Sequence, residues 1–309
     1  MPGIISHYLF AQSVFDALSK KPEFKSIDKT ALLWGSQGPD IFFYHRFFPW
    51  DRGEKLIPYG SRLHREDPSL LFEVMRNYEN TEPALTQISL SYQYGMAAHY
   101  ILDRTAHPFV NAGIKQLEEL EIYPKTYNIH VQIESSLDII LLRSILGLTP
   151  VDFNLKKAIP QSRELKAFLP DFYGYVLRHR FGVKPSTAAL ERLYPDLLRM
   201  FGLLNNRGMI KKPMVEFAEK LLKMKGAFSV QLRGITEGPE WDYANIGNLE
   251  WSNPLAPEAV YTTSFFELFE DAVNEAVLFI TDYSKALSSN EQMSRLTGRI
   301  SFDTGVSGS

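Results

Sequence analysis

Two runs of the chain place histidine and carboxylate residues four positions apart, and the first run is His99, Asp103 and His107. Each step of four residues rotates a helical side chain by only about 40°, so the three lie on one stripe roughly 12 Å long. Apolar neighbours indicate that the stripe is buried, and buried imidazole and carboxylate groups need partners. The stripe suits two or more adjacent metal ions with Asp103 as a bridge. The alternative is a pair of core histidines bonded to carbonyl groups or to Asp103.

The second stripe consists of His130, Glu134 and Asp138. Alone, it also fits the solvated face of an amphipathic helix. Two such stripes favour a shared metal site, because facing helices with inward His and carboxylate residues hold metal clusters in helical bundles. The chain has no cysteine. A tightly bound transition metal must therefore use His, Asp or Glu, all of which zinc accepts.

Three further residues are candidates by position. Asp40 ends the turn-rich segment GSQGPD, His64 precedes a predicted helix start, and His7 lies in the first turn of the first helix. Singly, they also fit a turn-forming Asp and two surface histidines. His45 and His179 are interpreted as non-ligands. The loop after Asp40 is crowded with aromatic residues, which could form a wall for a lipid or nucleobase, a membrane contact, or part of the core. They are Phe42, Phe43, Tyr44, Phe47, Phe48 and Trp50.

The elements that position these residues are predicted to be helices. Apolar residues recur with helical periodicity along most of the chain and strand signals are weak, which predicts an all-α fold. Asp28 and Asp67 are predicted helix caps, and Ser6 a cap for the first helix. Pro108 predicts a kink or an end in the long helix that carries the first stripe.

We divide the chain into three parts. Residues 1–150 form a metal-binding helical core, residues 151–290 a helical extension packed on that core, and residues 291–309 a flexible tail without apolar periodicity.

Composition restricts the class of protein. Of the 309 residues, 45% are hydrophobic and 22% are charged, an ordinary globular balance. A formal net charge of -3 argues against nucleic-acid binding driven by overall charge. The first residues do not have the pattern of a signal peptide, and no long uncharged apolar run predicts a spanning helix. We therefore expect a cytoplasmic protein.

Taken in order, five segments resemble the zinc-dependent phospholipase C family, which is related to the phosphate-ester nucleases of the S1/P1 type. They are SHYLFAQ, GSQGPDIFFYH, SRLHRED, HYILDRTAHPFV and HVQIESSLD, within roughly the first 145 residues. In the secreted bacterial enzymes the third histidine of the long helix follows the proline. Here His107 precedes Pro108, and Val110 stands at the other position. This order looks like a less characterised bacterial branch of the family.

The resemblance implies a multi-helix bundle like those of phospholipase C and the S1/P1 nucleases, with additional C-terminal helices and two or three zinc ions. The implied ligands of one ion are Asp40, His64, His99 and Asp103, and those of a second are His107, His130 and Glu134. A third ion would lie between Asp103 and His7. Asp138 would stand behind a ligand and orient it. Secreted relatives also use an N-terminal amine, and this chain begins Met1-Pro2-Gly3.

The resemblance further implies a zinc-dependent phosphoesterase that uses metal-activated water on the phosphodiester of a phospholipid or a related compound. Asp40 could bind zinc, accept the water's proton or do both, and Glu66 is a second candidate base. Contact with a membrane interface fits this function. The alternatives are an S1/P1-like nuclease or nucleotidase whose aromatic residues stack a base, and a non-catalytic helical binding protein whose metals have four protein ligands each.

Overall fold

The computed structural model describes residues 3–48, 50–78, 83–125, 127–205, 209–222, 228–238 and 241–307, and these are predominantly helical. The helices are α1 (Ile4–Leu18), α2 (Lys29–Gly35), α3 (Ile57–Arg65), α4 (Pro68–Arg76), α5 (Pro83–Glu119), α6 (Ile129–Leu146), α7 (Leu155–Ala158), α8 (Arg163–Phe181), α9 (Thr187–Leu190), α10 (Leu193–Leu204), α11 (Lys211–Leu222), α12 (Phe265–Lys285) and α13 (Asn290–Thr297). Two-residue strands, β1 (Trp251–Ser252) and β2 (Val260–Tyr261), pair antiparallel. The all-α prediction is confirmed. None of the helices in the described ranges is long and apolar enough to cross a bilayer.

Helix α5 lies at the centre and packs against α1, α2, α6, α8 and α12. The prediction that the helix could end at Pro108 is wrong, because α5 continues through this residue to Glu119. Proline inside a helix costs about 3 kcal/mol, since it removes one hydrogen bond and crowds the preceding turn. Burial of α5 on several sides offsets this cost. The stripe at positions 99–107 therefore lies on one continuous helix.

Two of the predicted helix starts are confirmed. The Asp28 side chain accepts a hydrogen bond from Ala31 N at 2.7 Å, and Asp67 accepts one from Ser69 N at 2.9 Å. The prediction that Ser6 caps the first helix is wrong, because α1 already begins at Ile4. The residue that precedes α1, Gly3, has no side chain to cap it. The carboxylate that does so comes from α6 and is described below.

Two glycines bring the backbones of α2 and α5 into direct contact. A Cβ added to Gly35 would lie 2.1 Å from Tyr92 O, and one added to Gly95 would lie 2.2 Å from Leu32 O. Any side chain at either position would push the helices apart. This close crossing places the loop that follows α2 beside the middle of α5, where His99 stands.

The C-terminal residues differ from the predicted tail. Residues 290–297 form α13, which packs on α4, and Ile300 pairs with Ser307 in an isolated antiparallel bridge. Phe302 is buried, and its ring lies 4.7 Å from that of Tyr100. Residues 298–307 lack apolar periodicity because they form turns, and the buried ring of Phe302 holds them against the rest of the protein. Residues 308–309 lie outside the described ranges, and the division at residue 150 stays a prediction.

Phe302→Ala is expected to lower the free energy of unfolding by about 3–5 kcal/mol, because it deletes a buried ring and leaves a cavity. Urea denaturation would measure the change. Leu287→Ala is the control, since Leu287 is 71% exposed and its truncation should stay within about 0.5 kcal/mol of wild type. A C-terminal segment that is only loosely attached would instead give equal stabilities for the two variants.

Candidate metal centre

The first cluster of ionisable side chains joins α3, α5 and the turn after α2. His64 Nε2 lies 3.2 Å from Asp40 Oδ1 and 3.6 Å from Asp103 Oδ2. His99 Nε2 lies 3.1 Å from Asp103 Oδ2 and 3.9 Å from Asp40 Oδ1. All four side chains are buried. The residues implied for one ion are therefore brought together at distances that a shared cation can bridge.

His7 approaches the same cluster from α1. Its Nε2 lies 3.2 Å from Asp103 Oδ1, and its ring stacks on that of His99 with centroids 4.2 Å apart. The two oxygens of Asp103 thus face different sets of imidazoles, one toward His7 and the other toward His64 and His99. This is the arrangement of a bridging carboxylate. Met1 and Pro2, and with them the N-terminal amine, lie outside the described residues.

The second cluster joins α5 to α6. The ligand atoms of His107, His130 and Glu134 lie within 4.8 Å of one another, and His130 Nε2 is 2.6 Å from Glu134 Oε1. The rings of His107 and His130 have centroids 5.8 Å apart. The two stripes recognised in the sequence therefore meet in space, with His107 as the residue of α5 that reaches α6.

Backbone carbonyl groups fix the orientation of three imidazoles. The Nδ1 atom of His64 lies 2.7 Å from Gly60 O, that of His99 3.1 Å from Ser36 O, and that of His107 2.7 Å from Phe302 O. Since a carbonyl only accepts, each Nδ1 is assigned the proton, and in the neutral ring each Nε2 carries a lone pair. Protein metal sites commonly fix histidine ligands in this way.

Two of these lone pairs point at each other. His64 Nε2 and His99 Nε2 are 3.4 Å apart, and when both rings are neutral with the proton on Nδ1, neither Nε2 has a proton to share. Nearby, both oxygens of Asp103, Oδ1 of Asp40 and both ring nitrogens of His7 are buried and have no hydrogen-bond partner among the residues that the structure describes. Buried polar atoms rarely remain unsatisfied. A cation between these atoms removes both the repulsion and the deficit.

The pKa shifts favour the forms that bind metal. Burial lowers the pKa of His107 to about 3, and burial also lowers that of His7. Burial would raise the pKa of Glu134, but positive charge nearby, first of all His130, lowers it to about 2. For Asp103 burial likewise opposes ionisation, and the adjacent His99 and His7 hold its pKa well below the usual value. Neutral imidazoles and ionised carboxylates are the species that zinc binds.

His64 differs from the other histidines. Burial would lower its pKa, but the Asp40 carboxylate beside it raises the pKa above the ordinary value. Without a metal, a proton shared between His64 and Asp40 supplies the positive charge in this part of the cluster. Metal binding would displace that proton.

Gly38 allows the loop to approach His99. Its φ of +52° lies in the left-handed region, and an added Cβ would lie 2.4 Å from the ring of His99. Gly38→Ala is therefore expected to destabilise the protein by about 2 kcal/mol or more in urea unfolding. In the control Gly202→Ala, the new Cβ enters open space inside a helix, so a gain of about 0.5–1 kcal/mol is expected. Equal stabilities would show that the loop does not need this close approach.

Two predicted residues have other partners. In the part of the chain that the structure describes, the hydrogen bonds of Asp138 go to groups other than the clustered histidines. Its oxygens accept hydrogen bonds from Ile5 N, from Ser6 N and Oγ, and from Arg233. Asp138 thereby caps α1 beside His7, so it orients the helix rather than a ring. Glu66, the second candidate base, pairs with Arg62 and Arg180.

The histidines interpreted as non-ligands also lie elsewhere. The Nδ1 of His45 accepts a hydrogen bond from Leu56 N, and its Nε2 donates to Ala189 O at 2.8 Å. His179 is exposed and stacks on Tyr175 with centroids 4.1 Å apart. Both nitrogens of His45 are therefore used in the protein interior, and His179 lies on the surface.

A cavity of about 270 Å³ opens onto both clusters. Asp40 of the first cluster and Glu134 of the second line it, together with Tyr44 and Arg233. Sequence reasoning missed Arg233, because a single arginine in an irregular segment carries no periodic signal. It also missed the Phe302 carbonyl, since no side-chain pattern reveals a backbone acceptor.

Comparison with known proteins agrees with this geometry. A family model described as zinc dependent phospholipase C matches residues 6–199, more than half of the chain. The chain belongs to the zinc-dependent phospholipase C family. No curated protein and no solved structure matches it.

The part of the chain that matches the zinc-dependent phospholipase C family contains all eight predicted ligands. The donor set of imidazole nitrogens and carboxylate oxygens suits zinc, and the unsatisfied buried atoms lie where cations would satisfy them. Arg233 and Phe302 lie beyond residue 199, so the C-terminal third adds contacts to a candidate centre whose predicted ligands come from the family region.

Proposed function

We propose that this member of the zinc-dependent phospholipase C family hydrolyses the phosphodiester of a lipid. The observation that carries the proposal is the cavity shared by the two clusters. Because Asp40 and Glu134 both line it, a phosphate group in the cavity would lie beside a carboxylate of each cluster. Paired metal ions are a common means of stabilising the attacking and leaving oxygens of phosphate esters.

Residues of this chain would hold two zinc ions, with a third position beside His7. The holding residues are Asp40, His64, His99 and Asp103 for one ion, and His107, His130 and Glu134 for the other. Bound zinc would supply Lewis acidity and make water a competent nucleophile near neutral pH. Asp40 is the first-cluster carboxylate that also lines the cavity, so it is placed to accept the proton of the attacking water. Glu66 is not proposed as the base because its carboxylate is paired with two arginines.

Two other residues on the cavity wall can hold the phosphate. Burial, with the Asp40 charge adding to it, raises the pKa of Tyr44, so its hydroxyl stays protonated and able to donate. Arg233 donates to Asp138 through Nε at 2.9 Å, which fixes the guanidinium at the wall. Because this guanidinium is already held in place, it can interact with an anion in the cavity without a further loss of side-chain entropy.

The two competing functions make different demands on the site. A purely structural metal centre needs closed coordination, whereas here two candidate ligands face an open cavity. A nuclease needs aromatic surfaces on which bases stack. Phe43 and Phe47 on the cavity wall could serve this purpose, so a substrate panel is needed to distinguish a nuclease from a phospholipase.

The deciding experiment compares substrates with and without chelator. Zinc-loaded protein is expected to hydrolyse p-nitrophenylphosphorylcholine and phosphatidylcholine faster than nucleotides or single-stranded DNA, and to lose this activity with EDTA. Asp40→Asn should lose activity, while the matched exposed control Asp16→Asn should retain it. Bound zinc without hydrolysis of any phosphoester would favour the structural class, and a preference for nucleotides would favour the nuclease.

A further inference from the structure

An apolar groove of about 490 Å³ lies next to the cavity beside the two clusters. Phe47, Leu204 and Gln231 line both the groove and the cavity, so the two spaces share a wall. Beyond that wall the groove is lined mainly by apolar side chains of the 47–48 loop, α10, α11 and the segment after residue 227. Its size and lining are those of sites that enclose small apolar ligands.

The outer face of α11, which forms one side of the groove, is apolar and uncovered. Met214, Phe217 and Leu221 recur at helical spacing, and they are 66%, 65% and 70% exposed. A contiguous exposed apolar stripe of this kind marks an interaction surface more often than chance. Trp50 is 67% exposed and stacks on Phe48, which lines the groove, with centroids 4.8 Å apart.

The opposite face of α11 is anchored. Glu219 is buried, and its carboxylate accepts hydrogen bonds from Ser229 N at 2.7 Å and from Ser229 Oγ at 2.8 Å. Lys211 donates to Gly202 O at 2.9 Å, at the end of α10. The apolar stripe is therefore held outward by contacts on the other side of the helix, and α11 is oriented relative to the groove.

We propose that the groove binds an acyl chain of the lipid whose phosphate occupies the metal cavity, and that the stripe on α11 together with Trp50 contacts the lipid surface. This inference rests on the proposed function. The shared wall residues are the argument for the occupant, because one molecule with a polar head and an apolar chain can occupy two adjacent spaces of this kind. An amphipathic helix with an outward apolar face is also suited to lie in the interfacial plane of a bilayer.

The exposed stripe of the proposed lipid site belongs to the C-terminal part of this chain. The family match ends at residue 199, and α11 with its exposed stripe lies wholly beyond it. The metal centre and the lipid surface can therefore be changed separately.

Vesicle binding tests the surface without requiring catalysis. Sedimentation of the zinc-loaded protein is measured with vesicles of a phosphonate analogue of phosphatidylcholine, in which a C–P bond replaces the scissile P–O bond so that no lipid is hydrolysed. Each buried Phe or Leu side chain contributes about tenfold or more to partitioning, so Phe217→Glu/Leu221→Glu is expected to bind about 100-fold more weakly than wild type. The matched control Leu278→Glu/Leu287→Glu changes two exposed leucines on and after α12 and should bind as wild type does.

A groove variant tests the acyl chain. With zinc, wild type should prefer monomeric diheptanoyl- over dibutyryl-phosphatidylcholine in kcat/KM, below the concentration at which either lipid aggregates. Met214→Glu places a charge at the groove and should reduce this preference about tenfold or more.

The outcomes separate the two proposals. Equal vesicle binding by wild type and the α11 double variant would overturn the proposed lipid surface. So would analytical ultracentrifugation that shows a dimer for wild type and for the control variant but a monomer for the α11 double variant, because the stripe would then be a dimer interface. An unchanged chain-length preference in Met214→Glu would overturn the acyl groove. Absence of hydrolysis of every soluble and lipid phosphoester would instead refute the proposed function, and the vesicle measurement would still stand because it uses no catalysis.

Discussion

Asp103→Asn is expected to abolish high-affinity zinc binding in the first cluster and to lower phosphoester hydrolysis by more than about 100-fold. Loss of a residue that merely orients a metal ligand costs about 10–100-fold, and Asp103 is a candidate ligand itself. Its two oxygens face His7 on one side and His99 on the other, at 3.2 Å and 3.1 Å. An amide keeps the shape but loses the negative charge that both sides would use.

Metal analysis and steady-state kinetics on the same preparations would check this result. His179→Ala is the control for removal of an ionisable residue, because His179 is exposed and its ring stacks on Tyr175 and not on one of the clustered side chains. The variant should also lose most of the stabilisation that zinc gives to wild type. Equal zinc content in Asp103→Asn and His179→Ala would remove Asp103 from the ligand set.

Removal of zinc is expected to destabilise the whole protein. A ligand present at 1000 times its Kd stabilises the folded state by about 4 kcal/mol, so two ions contribute about 8 kcal/mol. At roughly 2 °C for each kcal/mol, EDTA should lower the Tm by about 15 °C. The physical reason is that the buried oxygens of Asp40 and Asp103 lose the cations that satisfy them.

Thermal unfolding with and without EDTA measures this effect. Added Zn²⁺ should restore the Tm, whereas Mg²⁺ should not, because Mg²⁺ requires octahedral oxygen coordination and keeps most of its waters. A Tm that is insensitive to EDTA in protein shown to contain zinc would mean that the ions sit at the surface and not between α3, α5 and α6.

The sequence predicted which ionisable side chains cluster where helical periodicity controls side-chain position. His99, Asp103 and His107 share a stripe because α5 is a regular helix, and His130 and Glu134 share one because α6 is. Their apolar neighbours indicated that both stripes face inward. Caps such as Asp28 and Asp67 were also predictable, because the capping side chain lies within three residues of the backbone group it satisfies.

What could not be predicted depends on contacts between distant parts of the chain. The start of α1 is satisfied by Asp138, more than 130 residues away, so no local cap signals it. Pro108 stays inside α5 because packing on several helices outweighs the local cost. The Phe302 carbonyl reaches His107 across 195 positions from a segment without periodicity.

X-ray diffraction from crystals of the zinc-loaded protein, with data collected on both sides of the zinc absorption edge, would test the metal centre most directly. Anomalous peaks are expected about 2.0–2.2 Å from the ligand atoms of His64, His99 and Asp103 in one place and of His107, His130 and Glu134 in the other. Peaks confined to surface carboxylates, with none at these two positions, would contradict the account.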